Sequence, residues 1–150
     1  MRRIHVLFGL LTAVAAGAFC QSNEFIDRLL ESDSMTTGQA AYLVLVASDN
    51  LGEDADEARA FELLENFGWV PRGATIDAPI LIKDYSYLLM KAFGLNGGML
   101  YAMFPGPRYA YRQLVASLVI QGRSDPDMTL SGSFAVRILG RVFDVKGISQ

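Results

Sequence analysis

Histidine and cysteine are almost missing from this chain: one of each in 150 residues, His5 and Cys20. Both fall in the first twenty positions, which read as a targeting segment. The body that follows has no imidazole and at most one thiol. That excludes histidine-based triads, metal sites built on His or Cys, CxxC redox chemistry and an internal disulfide. Charged residues are sparse as well, at 19% against 51% hydrophobic, a balance too apolar for a disordered chain. With no catalytic constellation, no metal-ligand set and no cofactor motif, the residues point to a non-enzymatic protein of one domain.

What is present begins with a leader. Arg2 and Arg3 precede an apolar run from Ile4 to Ala18, and Ala16-Gly17-Ala18 is a small-x-small cleavage pattern. This is the layout of a secretory signal peptide spanning residues 1–18. The run is short for a membrane span, which needs about 20 apolar residues. The expected location is therefore exported, in the periplasm or cell envelope. Cys20 adds a lipidation reading, although the bulky Phe19 stands where a small residue normally precedes an acylated cysteine. A membrane is an expected partner only if the leader is retained or Cys20 is acylated.

Charge is divided along residues 19–150. From Glu24 to Glu65 there are 11 acids against Arg28 and Arg59, whereas residues 66–150 carry nine bases against five acids. The acids peak at Glu53-Asp54-Ala55-Asp56-Glu57, which lacks the alternating acids, central Gly and closing Glu of a calcium loop. A helix N-terminus explains them better, since the macrodipole favours acids there. The basic part suits an anionic polymer or contact with the acidic part. Nucleic acid is not an expected partner of an exported acidic protein.

An internal repeat organises the rest. Met35–Ala47, Ile80–Phe93 and Met128–Phe143 each show an apolar residue, a short polar start and a strongly apolar helix. Ala40, Tyr85 and Phe134 align, as do Val44, Leu89 and Ile138, with offsets of 45 and 49 residues. Thr36 or Thr37, Asp84, and Ser131 or Ser133 are candidate caps or first-turn residues. A second helix precedes two copies, over Asp56–Phe67 and Tyr109–Leu118, with Leu64 matching Leu114 and Trp69 matching Val119. Gly68 and Pro71 mark the end of the first of these. A shorter candidate, Glu24–Glu31, precedes the first copy, where the connection has lost its loop. The expected fold is mainly α: three helix-loop-helix units packed as a pseudo-threefold bundle, the first unit truncated.

This pattern resembles the S-layer homology domain, best over Ala60–Leu95. Leu63, Leu64, Gly68, Trp69 and Val70 fit its first half; Ala78-Pro79-Ile80, Asp84-Tyr85-Ser86, Leu88, Leu89, Ala92 and Leu95 fit its second. Tyr111–Phe143 is a looser match, and residues 24–48 keep the second half. The resemblance implies a three-unit module that binds anionic cell-wall polysaccharide through a Thr-Arg-Ala-Glu motif. Here the motif reads Thr36-Thr-Gly-Gln39, Leu81-Ile-Lys-Asp84 and Leu130-Ser-Gly-Ser133, and no copy keeps the arginine. By resemblance, Arg72, Lys83 and Arg123 are the polysaccharide-binding candidates.

One segment does not repeat. Gly94–Arg108 carries Met99, Leu100, Tyr101, Met103 and Phe104 among four glycines and two prolines, and reads as a loop with at most one helical turn. Large apolar groups in a loop either cover the end of a core or form a docking patch. Arg108, Tyr109 and Tyr111 extend such a patch, and Met and aromatic side chains suit adaptable contacts. The favoured function is an envelope binding or scaffolding module that docks to a protein partner, with cell-wall polymer as the alternative. Glycan hydrolysis by paired carboxylates, Asp77 with Asp84 or Asp125 with Asp127, is the remaining reading; Asp flanking a loop is common without catalysis. The leader makes one direct prediction. Mass spectrometry of the native N-terminus finds a chain starting at Phe19 without lipid; an acylated Cys20 or an intact Met1 contradicts the cleavage site.

Overall fold

A cap or a proline opens most of the helices, and a left-handed residue closes several. The structure, a computed structural model, describes residues 24–122 and 124–147. Residues 24–30 are helical (α1). Helix α2 (Thr37–Ala47) opens with a capping box: Thr36 Oγ1 accepts the Gln39 N–H and Gln39 Oε1 accepts the Thr36 N–H at 3.0 Å. In α3 (Glu57–Phe67) Asp56 accepts the Arg59 N–H at 2.8 Å, so the acidic run sits at a helix start. Helix α4 (Ile82–Ala92) begins at Leu81 with no side-chain cap. Asp84, expected as a cap or first-turn residue, is the third residue of that helix and lies in its first turn. Then come α5 (Met99–Met103), α6 (Pro107–Ala116) with its proline in the first turn, and α7 (Gly132–Lys146) capped by Ser131. The described residues are thus mainly helical, and their only β pairing is two isolated bridges, Thr36 with Pro79 and Leu81 with Thr129.

Those bridges belong to a closed ring. The Met35 N–H donates to Leu130 O at 2.7 Å, the Leu130 N–H to Ile80 O at 3.1 Å, and the Ile80 N–H to Met35 O at 3.0 Å. All three side chains are buried at the centre of the core. The next helix starts link the same three units, with the donors running in the opposite sense. Thr37 and Gly38 donate to Ala78 O and Ile76 O, Ile82 and Lys83 donate to Met128 O and Pro126 O, and Gly132 donates to Ser32 O. Each helix start is therefore satisfied by the loop of another unit, which provides partners for amides that a helix cannot pair internally.

Helix packing also crosses units. α3 packs on α2, α6 on α4, and α2 on α4. The first helix of a unit thus leans on the second helix of the preceding unit, so no unit buries its own apolar face alone. Leu29, Leu64 and Leu114 are the buried anchors of α1, α3 and α6; Leu30 is exposed. Gly68 and Leu118 both adopt left-handed backbone, at φ 66 and 61, and the next residue donates back to Leu64 O or Leu114 O at 2.9 Å. Leu118 performs the turn that glycine performs in the second unit, and its side chain is 68% exposed.

The ring corrects the register of the third copy. Met35, Ile80 and Leu130 are equivalent, so the offsets are 45 and 50 residues, and Ala135 rather than Phe134 matches Ala40 and Tyr85. Ala135 is buried while Phe134 is only partly so. Burial decides the register because the one-residue slip moves every later side chain about 100° around the helix. α6 also starts two residues before its expected Tyr109, at the proline.

The truncated first unit leaves a mark on the third. Because its loop is short, the end of α1 lies against the start of α7, and a Cβ on Gly132 would run into the Leu29 carbonyl oxygen. Gly140, in the same helix, faces open space. Urea denaturation should therefore separate the two. Gly132→Ala loses stability by about 1–3 kcal/mol through overpacking, whereas Gly140→Ala gains about 0.5–1 kcal/mol from helix propensity. A Gly132→Ala protein as stable as its parent contradicts the close approach.

Candidate functional site

The non-repeating segment between α4 and α6 is built to stand out from the bundle. Five residues cannot hold a helix alone, and α5 rests on α6. The Gly98 N–H at its start donates to Gln113 Oε1 of α6 at 2.7 Å. Gly97-Gly98 lead in and Pro105-Gly106-Pro107 lead out. No residue of α5 is buried. Met99 is 77% exposed, Leu100 48%, Met103 61% and Phe104 56%. These four do not cover the end of the core; they form an apolar ridge on the surface. Tyr101 is half-buried against the core, and burial raises its phenol pKa.

Beside the ridge, Phe104 stacks on Tyr109 with ring centroids 6.1 Å apart and planes 29° from parallel. The pair walls an open groove of about 540 Å³ whose other lining residues are Lys83, Pro105, Gly106, Pro107 and Arg108. Lys83 enters because the start of α4 is bonded to loop 126–128 of the third unit. That loop places Asp127 between two cations. Lys83 Nζ donates to Asp127 Oδ1, and Arg108 Nη2 to Asp127 Oδ2 at 3.1 Å. The hydrogen bond from Lys83 holds the Asp127 carboxyl below its ordinary range, and the charges of Lys83 and Arg108 act the same way. Asp84, next to this cluster, is shifted upward by burial and by the Asp127 charge, against the pull of Lys83.

The expected site residues divide accordingly. Met99, Leu100, Met103, Phe104, Arg108 and Tyr109 share one surface, and Lys83 joins them there. Tyr111 does not belong to it: its hydroxyl is bonded to Ser124 at 2.8 Å to the carbonyl and 2.9 Å to the side chain. Arg72 is exposed on a different loop and does not line the groove. Arg123 and Cys20 lie outside the described residues, as does the leader. The first helical residue, where the resemblance implies an arginine, is Thr37, Ile82 and, in the corrected register, Gly132, all buried. Asp125 accepts the Asp127 N–H at 2.8 Å as a turn former, and Asp127 is ion-paired.

Asp127 as the acid joining Lys83 to Arg108 was not apparent from sequence. The signal was the repeat itself: a loop that docks on the preceding unit's helix start brings residues three before Leu130 to Lys83. Among the described residues no group of His, Cys, Asp or Glu is placed to hold a metal ion, and no helix is long and apolar enough to cross a membrane. Comparison with family models, curated proteins and solved structures finds no match to this chain.

The cluster has a pH signature. A depressed carboxylate pKa contributes stability above the unfolded value, and that contribution disappears as pH falls through the folded value. An NMR titration of the Asp127 carboxyl should give a midpoint below that of an unstructured aspartate, about 3.9, and Lys83→Ala should move it up toward that value. No movement contradicts the Lys83–Asp127 pair.

Proposed function

We propose that this chain is a non-enzymatic binding or scaffolding module of the cell envelope, docking to a protein partner. The observation that carries the reading is the groove between the start of α4 and the segment before α6. It combines a stacked Phe104–Tyr109 wall with an exposed arginine, Arg108, fixed on one side by Asp127. Aromatic and arginine side chains at a groove are the groups that most often dominate protein contacts. Holding Arg108 in place before binding lowers the cost of ordering it. The side chains are apolar and aromatic with one largely compensated cation cluster, which suits a protein surface better than a polyanion. Exported location rests on Arg2, Arg3, the apolar run and the cleavage pattern of the leader.

The polysaccharide reading has less support. It needs free cations, and Lys83, its best-placed candidate, is neutralised by Asp127. A two-part binding assay separates the readings. Tagged chain incubated with envelope extract recovers a defined protein, and Phe104→Ala with Arg108→Ala reduces recovery by about tenfold or more, the range of a lost hot spot. The same chain does not sediment with purified cell wall. Salt-sensitive sedimentation with wall that Lys83→Ala weakens, and partner recovery unaffected by the double substitution, reverse the conclusion.

A further inference from the structure

The ridge formed by α5 adjoins the groove and shares Phe104, Arg108 and Tyr109 with it, but adds Met99, Leu100, Met103 and Arg112. From residue 85 to residue 124 the chain contains no acid and four bases, Lys91, Arg108, Arg112 and Arg123. Arg108 and Arg112, on the first turns of α6, are exposed. Met99, Leu100, Met103 and Phe104, none buried, belong to a segment bracketed by Gly97-Gly98 and Pro105-Gly106-Pro107. Met99 and Leu100 line one shallow groove with Arg112 and the half-buried Tyr101 and Tyr109. Exposed apolar side chains, tyrosine rings and arginines on one surface are the groups that suit the acyl chains, interface and anionic headgroups of a bilayer.

We propose that the α5 ridge is a membrane-contact element: its apolar side chains enter the interface of an anionic bilayer while Arg108 and Arg112 meet the headgroups. A second copy paired ridge to ridge is the poorer occupant, because Arg108 already shares Asp127 with Lys83 and the ridge carries no acid to meet Arg112 of a second copy. A protein partner complementary to the ridge would have to supply both a deep apolar furrow and acids at its rim. A bilayer supplies both without a preformed shape. The acidic residues between Glu24 and Glu65 do not oppose this contact where they lie beyond roughly 8–10 Å, the screening length at physiological salt. The element lies on the membrane and does not cross it. It operates whether or not the leader is retained or Cys20 is acylated.

Vesicle co-sedimentation tests the proposal on the full chain, so that any contribution of the leader is common to every protein compared. The vesicles are equal parts phosphatidylcholine and phosphatidylglycerol, with pure phosphatidylcholine as the neutral arm. Met99→Ser with Met103→Ser should weaken binding to the anionic vesicles by about tenfold or more. Arg108→Ala with Arg112→Ala should weaken it by about fivefold or more and reduce the preference for anionic over neutral vesicles. The methionine positions are exposed, so thermal melting of that variant should match the parent and exclude misfolding as the cause. Binding of both variants equal to the parent overturns the proposal. So does concentration-dependent dimerisation, seen by sedimentation equilibrium, that the methionine substitutions abolish. Loss of envelope-protein recovery in these variants with unchanged vesicle binding overturns the membrane contact while leaving the protein-docking reading standing.

Discussion

Three backbone hydrogen bonds, Met35 to Leu130, Leu130 to Ile80 and Ile80 to Met35, close the molecule on itself. Their residues are extended and buried, and they have no sheet to join. A buried amide without a partner costs about as much as a lost hydrogen bond, so each of the three strand-like residues depends on the other two. One step outward each helix start is satisfied by another unit's loop, with the donors running round the units in the opposite sense. The units are joined again in the packing of α3 on α2 and α6 on α4. A single unit taken from this arrangement leaves its central amide, its helix start and its apolar face without partners.

That constraint explains where the chain tolerates change. The first unit lacks ten residues between Leu29 and Met35 relative to its counterparts, yet Met35 keeps its place. The cost appears at Gly132, where no side chain fits against Leu29. The insertion of Gly94–Gly106 lies outside the ring and contributes no buried side chain except at its edge, so its composition is free to serve a surface role. The ring also delivers the electrostatics of that surface. Docking loop 126–128 on the start of α4 brings Asp127 to Lys83, and Arg108 reaches the same carboxylate from α6. The groove and the α5 ridge then sit side by side, joined by the Phe104–Tyr109 stack.

Much of this was legible beforehand because apolar periodicity reports helices directly. The helix pairs, the shortened first unit, the Gly68 turn and the acids at the start of α3 were all visible in the residues. The third copy was misaligned by one residue because Phe134 resembles Tyr85 more than Ala135 does, and side-chain likeness is a poorer guide than burial. The exposure of Met99 and Met103 was not decidable from composition, since the same residues fill cores and cover surfaces. Tyr111 is next to the patch along the chain, yet its hydroxyl turns away to Ser124. The pairing of Lys83 with Asp127 spans 44 residues, and only the cyclic order of the units brings the two together.

The dependence of the fold on the central ring has a direct readout in native-state amide hydrogen exchange. The Met35, Ile80 and Leu130 amides should exchange together, at the slowest rate in the molecule, with the free energy of global unfolding measured by urea. Exchange of the Met35 amide well before the other two would show that the first unit opens on its own, and would contradict the ring as the constraint that holds the three units together.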